Sequence, residues 1–172
     1  MPEEVNSQVK LVRDLMTVGV PTCTAETPVI DLARRLLEQG WEAVVVLDGQ
    51  EGHALGVISQ DELIQAYIHA DNGNQIAGEI MRDGVPQVPP DIPLAAAAQL
   101  MQDLKVRTLF LMHHAGGIEY PAAMISYKHL LRHLAADNEA ELRDLGIRAE
   151  RQTPLEMFIQ RRDAARNKNR NY

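Results

Sequence analysis

The chain has 172 residues, 45% of them apolar, enough for one substantial core or two small ones. A net charge of −7 and an aromatic content of 4% argue against a nucleic-acid binder, which needs basic patches and stacking surfaces. No run approaches the roughly 18 consecutive apolar residues of a membrane span.

The opening MPEEVNSQVK is polar and lacks the charged-then-apolar shape of a signal peptide. Cys23 is the one cysteine and has no internal disulfide partner, so a reducing, cytoplasmic setting is expected. Then a repeat begins. MTVGVP at 16–21 returns as MRDGVP at 81–86, and a shift of 65 keeps the two copies aligned from Met16 to Asp48.

In the first copy Pro28 suits the first position of a helix, with Thr27 as its N-cap. Val29, Leu32, Ala33, Leu36 and Leu37 follow at helical spacing, and Gly40 is placed to stop the helix. AVVVL at 43–47 reads as a buried strand. HALGVIS, ending at Ser59, gives a second strand, and Leu63, Ile64 and Tyr67 mark the next helix.

The second copy repeats this order. Pro93 opens a helix with Leu94, Ala97, Ala98 and Met101 on one stripe. LFLM at 109–112 and PAAMIS, ending at Ser126, are the strands, and Leu130, Leu131 and Leu134 belong to the closing helix. The offset has grown to 67, which places two extra residues in the loop HHAGGIEY. Neither copy can bury both faces of so small a sheet alone, which favours two units packed together.

Beyond Ala136 the composition shifts: residues 1–136 carry 9 Lys/Arg against 17 Asp/Glu, residues 137–172 carry 8 against 7. DNEAELRDLG has helical character, and Leu155, Phe158 and Ile159 share one face after Thr153-Pro154. That stripe is too short to stand alone in water and should seek cover from the repeats or from a second chain. The last twelve residues hold five Lys/Arg and one acid, a basic end.

Ser59-Gln60-Asp61-Glu62 is the capping-box pattern ahead of an apolar helix, and a residue there can both cap and bind. The second copy has Ser126-Tyr127-Lys128-His129 at the same place. Residues 16–67 set Arg34 and Arg35 against eight acids, whereas residues 81–134 set five Lys/Arg against four and add His113, His114, His129 and His133. An anionic ligand is therefore expected beside the second copy, near Arg107, Lys128 and His129. With an ordinary imidazole pKa of about 6.5, His129 would favour that anion more at pH 6 than at pH 8.

His129 and His133 stand i,i+4, yet no zinc-enzyme signature surrounds them, so no metal site is expected. Cys23 in PTCTAE has no identifiable activating partner. GHALG and HAGG lack the spaced glycines of a phosphate loop, so no catalytic residue and no enzyme are expected.

The ordered set of TPV…LARRLL, VVVLD and GVISQDEL, present in two copies over roughly 8–135, resembles the cystathionine-beta-synthase (CBS) domain. A tandem of two resembles a CBS pair, or Bateman module. The resemblance implies an α/β fold of two β-α-β-β-α repeats related by a pseudo-twofold axis, at 8–70 and 71–135, with a helical C-terminal extension at 136–172. It implies two clefts taking adenosine-containing ligands: AMP, ADP, ATP or S-adenosylmethionine, with no obligatory cofactor.

In such proteins a Ser/Thr-x-x-Asp motif meets ribose or phosphate, which carries over to Ser59 and Glu62 and to Ser126 and His129. Glu62 extends the carboxylate by one methylene, and His129 offers one acceptor where a carboxylate offers several. Thr22, Thr24, Gln87 and Pro89 would flank the adenine positions, with Arg107 and Lys128 reaching phosphate. The expected function is a homodimeric regulatory module acting on an unidentified partner protein. The alternative is a structural or interaction module whose clefts have lost their ligand, since Val45 and Phe110 stand where relatives carry proline in the central strands.

Overall fold

The computed structural model describes residues 9–69 and 74–144. In chain order these form α1 (Val12–Leu15), β1 (Thr17–Val18), β2 (Thr22–Thr24), α2 (Val29–Gln39), β3 (Ala43–Leu47), β4 (Ala54–Ser59) and α3 (Gln60–Ile68). The pattern then returns as α4 (Ala77–Ile80), β5 (Arg82–Asp83), α5 (Leu94–Leu104), β6 (Thr108–Ala115), β7 (Ile118–Ser126) and α6 (Tyr127–Ala135). A short helix, α7 (Glu139–Asp144), follows, as the DNEAELRDLG segment foretold. The stripe Leu155, Phe158 and Ile159 lies outside the described residues. The two expected repeats are present as a mixed α/β fold.

What sequence did not foretell is an exchange. The four-stranded sheet runs β2-β3-β4-β5 and the three-stranded sheet β1-β7-β6, so each repeat's first strand completes the other repeat's sheet. Thr17 pairs with Met124 and Arg82 with Val57, both antiparallel. The core follows the same exchange. Val12 and Leu15 pack with Leu94, Ala97, Met101, Leu109 and Ile125, whereas Ala77 packs with Leu32, Leu36, Val44, Val46 and Ile58.

This explains the duplicated Met-x-x-Gly-Val-Pro. The residues after each Met cross to the other sheet, and Gly19 (φ 92°) and Gly84 (φ 77°) turn the chain back in a left-handed conformation. Their N–H groups donate to the Ala122 and Leu55 carbonyls, and the following Pro21 and Pro86 carbonyls accept from Val45 and Phe110. A third core cluster, Ala43, Val45, Val57, Phe110 and Met124, joins the two sheets. Val45 and Phe110 are fully buried there.

Symmetry is incomplete at one edge. The parallel pairing Thr22↔Val45 extends to Thr24↔Leu47, but its counterpart Gln87↔Phe110 is an isolated bridge. Pro89 stands where Thr24 stood and has no N–H to give the ladder.

Three local expectations are corrected. Helix α2 begins at Val29 with Pro28 as N-cap, and the Thr27 hydroxyl accepts from the Thr24 amide instead of capping. The two extra residues do not enlarge a loop. They lengthen the β6–β7 hairpin to the pair Ala115↔Ile118, closed by Gly116-Gly117. Finally, Leu37, Ile64, Tyr67, Leu131 and Leu134 are exposed, 57–85% of each surface facing outward. The inward stripes are carried by Leu32 and Leu36 on α2 and by buried Ala66 on α3. No helix among the described residues is long and apolar enough to cross a membrane.

Candidate functional site

Because the sheets exchange strands, each hollow between the repeats is lined by both. One cleft, about 60 Å³, is bounded by Ser59, Asp61 and Glu62 from the first repeat and by Arg82, Lys105 and Arg107 from the second. Its pseudo-twofold counterpart, about 150 Å³, sets Thr17, Trp41 and Glu42 against Lys128, His129 and Arg132. Between the starts of α3 and α6 lies a larger hollow of about 520 Å³. Ser59, Asp61 and Arg107 line both it and the first cleft, while Glu42, Lys128 and Arg132 line both it and the second.

Ser59 and Glu62 do close a capping box. The Glu62 carboxylate accepts from the Ser59 amide at 2.8 Å and from its hydroxyl at 2.5 Å, and the Ser59 oxygen accepts from the Asp61 amide at 3.2 Å. A carboxylate has further lone pairs, so the cap leaves Glu62 capacity for a ligand.

His129 mimics that box with an imidazole. The Ser126 amide donates to Nδ1 at 3.1 Å, with the Ser126 hydroxyl at 2.9 Å. A backbone N–H can only donate, so Nδ1 is the acceptor and the neutral ring carries its proton on Nε2. That nitrogen lies 2.7 Å from the Thr17 hydroxyl and donates to it. Both nitrogens are thus engaged, and burial, assisted by the cations Arg132 and Lys128, pushes the His129 pKa down to about 4.

The expected gain of positive charge at His129 between pH 8 and pH 6 is therefore overturned: the ring stays neutral across that window. Its nitrogens are likewise committed to Ser126 and Thr17, which leaves no lone pair for metal. Among the described residues no group of three His, Cys, Asp or Glu is placed to hold an ion.

Of the expected group Arg107, Lys128 and His129, the first two line the larger hollow together, while His129 lies in the second cleft. Arg107 shares its cleft with Ser59 and Glu62, and its guanidinium meets Asp61 at 3.2 Å across the repeats. Lys128 and His129 share theirs with Glu42. Charge counted along each copy does not describe either cleft, since both copies line each cleft. Thr22, Thr24, Gln87 and Pro89 line none of these three hollows. Gln87 instead donates to Glu119 at 2.7 Å on the long hairpin.

Sequence reading missed Arg82, Lys105, Arg132, Thr17 and Trp41 as cleft residues. The repeat itself held the signal, for Arg82 and Thr17 occupy equivalent positions, as do Arg107 and Glu42. Arg82 also donates to the Leu104 carbonyl at 3.0 Å, ending α5. Cys23 sits in the first repeat's core, and burial raises its thiol pKa, against a nucleophilic role.

Two exchanged α/β units with clefts between them define a tandem α/β repeat module. The CBS domain model matches residues 12–69 and 77–136, well over half of the chain. The chain belongs to the CBS domain family.

Solved structures with the same fold include the CBS domain pair of protein MJ0100 in complex with 5′-methylthioadenosine and S-adenosyl-L-methionine. That pair is 16% identical, with 73% of this chain and 99% of that one covered at a TM-score of 0.62. The CBS-domain protein ATU1752 from Agrobacterium tumefaciens is 21% identical over 73% and 94% of the two chains, TM-score 0.63. The CBS domain protein TA0289 from Thermoplasma acidophilum is 19% identical over 80% and 74%, TM-score 0.64. No curated protein shows a sequence match to the chain.

Proposed function

We propose that the chain is a regulatory module that binds an adenosine-containing small molecule between its repeats and reports its occupancy to a partner protein. The observation that carries this reading is the two-repeat composition of each cleft. A ligand held by Ser59 and Glu62 on one side and Arg107 on the other would fasten one repeat to the other. In the second cleft Lys128 and His129 from the second repeat would play that part opposite Glu42 and Trp41 from the first.

The MJ0100 pair, of the same fold, holds 5′-methylthioadenosine and S-adenosyl-L-methionine, which supports the adenosine class. AMP, ADP and ATP are the other candidates. The reading assigns no catalytic step and no obligatory cofactor, and places the protein in the cytoplasm. Its functional units are 8–70 and 71–135, with 136–172 as an extension. Exposed Ile64, Tyr67, Ile68, Leu131 and Leu134, spread over α3 and α6, support a homodimer that covers these helix faces.

One observation favours the second reading, a structural or interaction module without ligand. The polar atoms of Ser126, His129 and Thr17 already satisfy one another. A thermal-shift series with AMP, ADP, ATP, adenosine and S-adenosylmethionine separates the two. Binding to the folded state raises the melting temperature by mass action. A rise with at least one compound supports the sensor, and a flat response to all five at millimolar concentration supports the ligand-free module.

A further inference from the structure

We propose that the hollow between α3 and α6 is a single anion site shared by both clefts, so that one phosphorylated adenosine ligand weakens the binding of a second. This rests on the reading that the clefts take adenosine compounds. The two clefts adjoin the same space: three lining residues of each also line the hollow of about 520 Å³. A phosphate carried by a nucleoside in either cleft would therefore project toward one common set of charges.

That set is small. Arg107, Lys128 and Arg132 face Asp61 and Glu42, three cations against two carboxylates. Arg107 is already held by Asp61 at 3.2 Å, from opposite repeats. A phosphate monoester carries about −1.5 to −2 near neutral pH, so the first one turns the net charge of the hollow negative. A sphere of that volume is about 10 Å across, comparable with the Debye length at physiological ionic strength, so salt does not erase the repulsion felt by a second phosphate. Second occupancy should be weaker by about tenfold or more. Occupancy of one cleft would then report negatively on the other, with no movement of the fold required.

Calorimetric titration of the full chain with AMP in low-salt buffer tests this. The expected result is two AMP affinities about tenfold or more apart, a gap that closes when Glu42→Gln and Asp61→Asn together remove the two carboxylates. Asp61→Asn alone, on an exposed side chain that also releases Arg107, should move the second affinity the same way. Two equal AMP affinities in the unaltered chain, or the same gap in every variant, would overturn the shared site. Absence of heat with both AMP and adenosine would instead overturn the adenosine reading itself, and the shared site with it.

Discussion

Thr17 and His129 are joined by a 2.7 Å hydrogen bond that runs from the exchanged strand of one repeat to the first turn of the other repeat's last helix. It joins the two repeats at the second cleft, and its direction is set by the Ser126 amide, which holds Nδ1 as acceptor and leaves Nε2 to donate. Its counterpart positions, Arg82 and Glu62, make no such link; Arg82 is turned toward the Leu104 and Lys105 carbonyls. The two clefts are thus equivalent in fold and different in chemistry.

The buried imidazole makes stability depend on pH. Its folded pKa is about 4 against about 6.5 when unfolded, so the unfolded chain binds the proton more readily in between. The contribution is fully present above pH 6.5 and falls by about 1.4 kcal/mol per pH unit as pH drops toward 4. Urea unfolding at pH 7.5, 6 and 5 should show this loss. His129→Gln, which keeps a capping side chain, should flatten the profile over pH 6.5 to 5. An unchanged slope in that variant would remove His129 as the cause.

The cap at Ser59 can be separated from any ligand contact. Ser59→Ala should cost about 0.5–2 kcal/mol without ligand, since it strips the Asp61 amide of its acceptor. Paired unfolding and binding measurements decide its second role. Lower stability with unaltered affinity would confine Ser59 to capping; a parallel loss of affinity would place it in the cleft.

Gly56 marks the closest approach of the exchanged strand. A Cβ there would lie 2.3 Å from the Arg82 carbonyl oxygen and 3.0 Å from the Met81 sulfur. Gly56→Ala should destabilise by about 1–3 kcal/mol, because β4 and β5 must separate to admit a methyl group. A melting temperature equal to that of the unaltered chain would show that β5 yields freely.

The exposed helix faces predict assembly. Tyr67 and Leu134 are 82% and 81% exposed, an arrangement that leaves apolar area in water unless a second chain covers it. Light scattering should give a dimer for the full chain and a monomer for Tyr67→Asp with Leu134→Asp. A monomeric unaltered chain would refute the dimer.

The duplicated order of elements was legible because helix stripes, a buried apolar run and stop signals recur at an offset of 65 that grows only to 67. The exchange was not. A two-residue strand such as Thr17–Val18 has no periodicity, and its partner Met124 lies more than 100 residues away. That hidden crossing is why Ser59 and Glu62 were not placed beside Arg107, since wall-sharing between copies cannot be counted along the chain. Periodicity placed Tyr67 and Leu134 on their helices but could not say which way they face, and both are exposed. Thr27 looked like a cap from its place before Pro28, but the hydroxyl bonds backward to Thr24.

The central claim is a ligand held between repeats, and a crystal structure of the chain grown with a saturating adenosine compound from the thermal-shift series tests it most directly. The account predicts density touching residues of both repeats, Ser59 with Arg107 or Glu42 with Lys128. Empty clefts under those conditions, or a ligand held by one repeat alone, would contradict it.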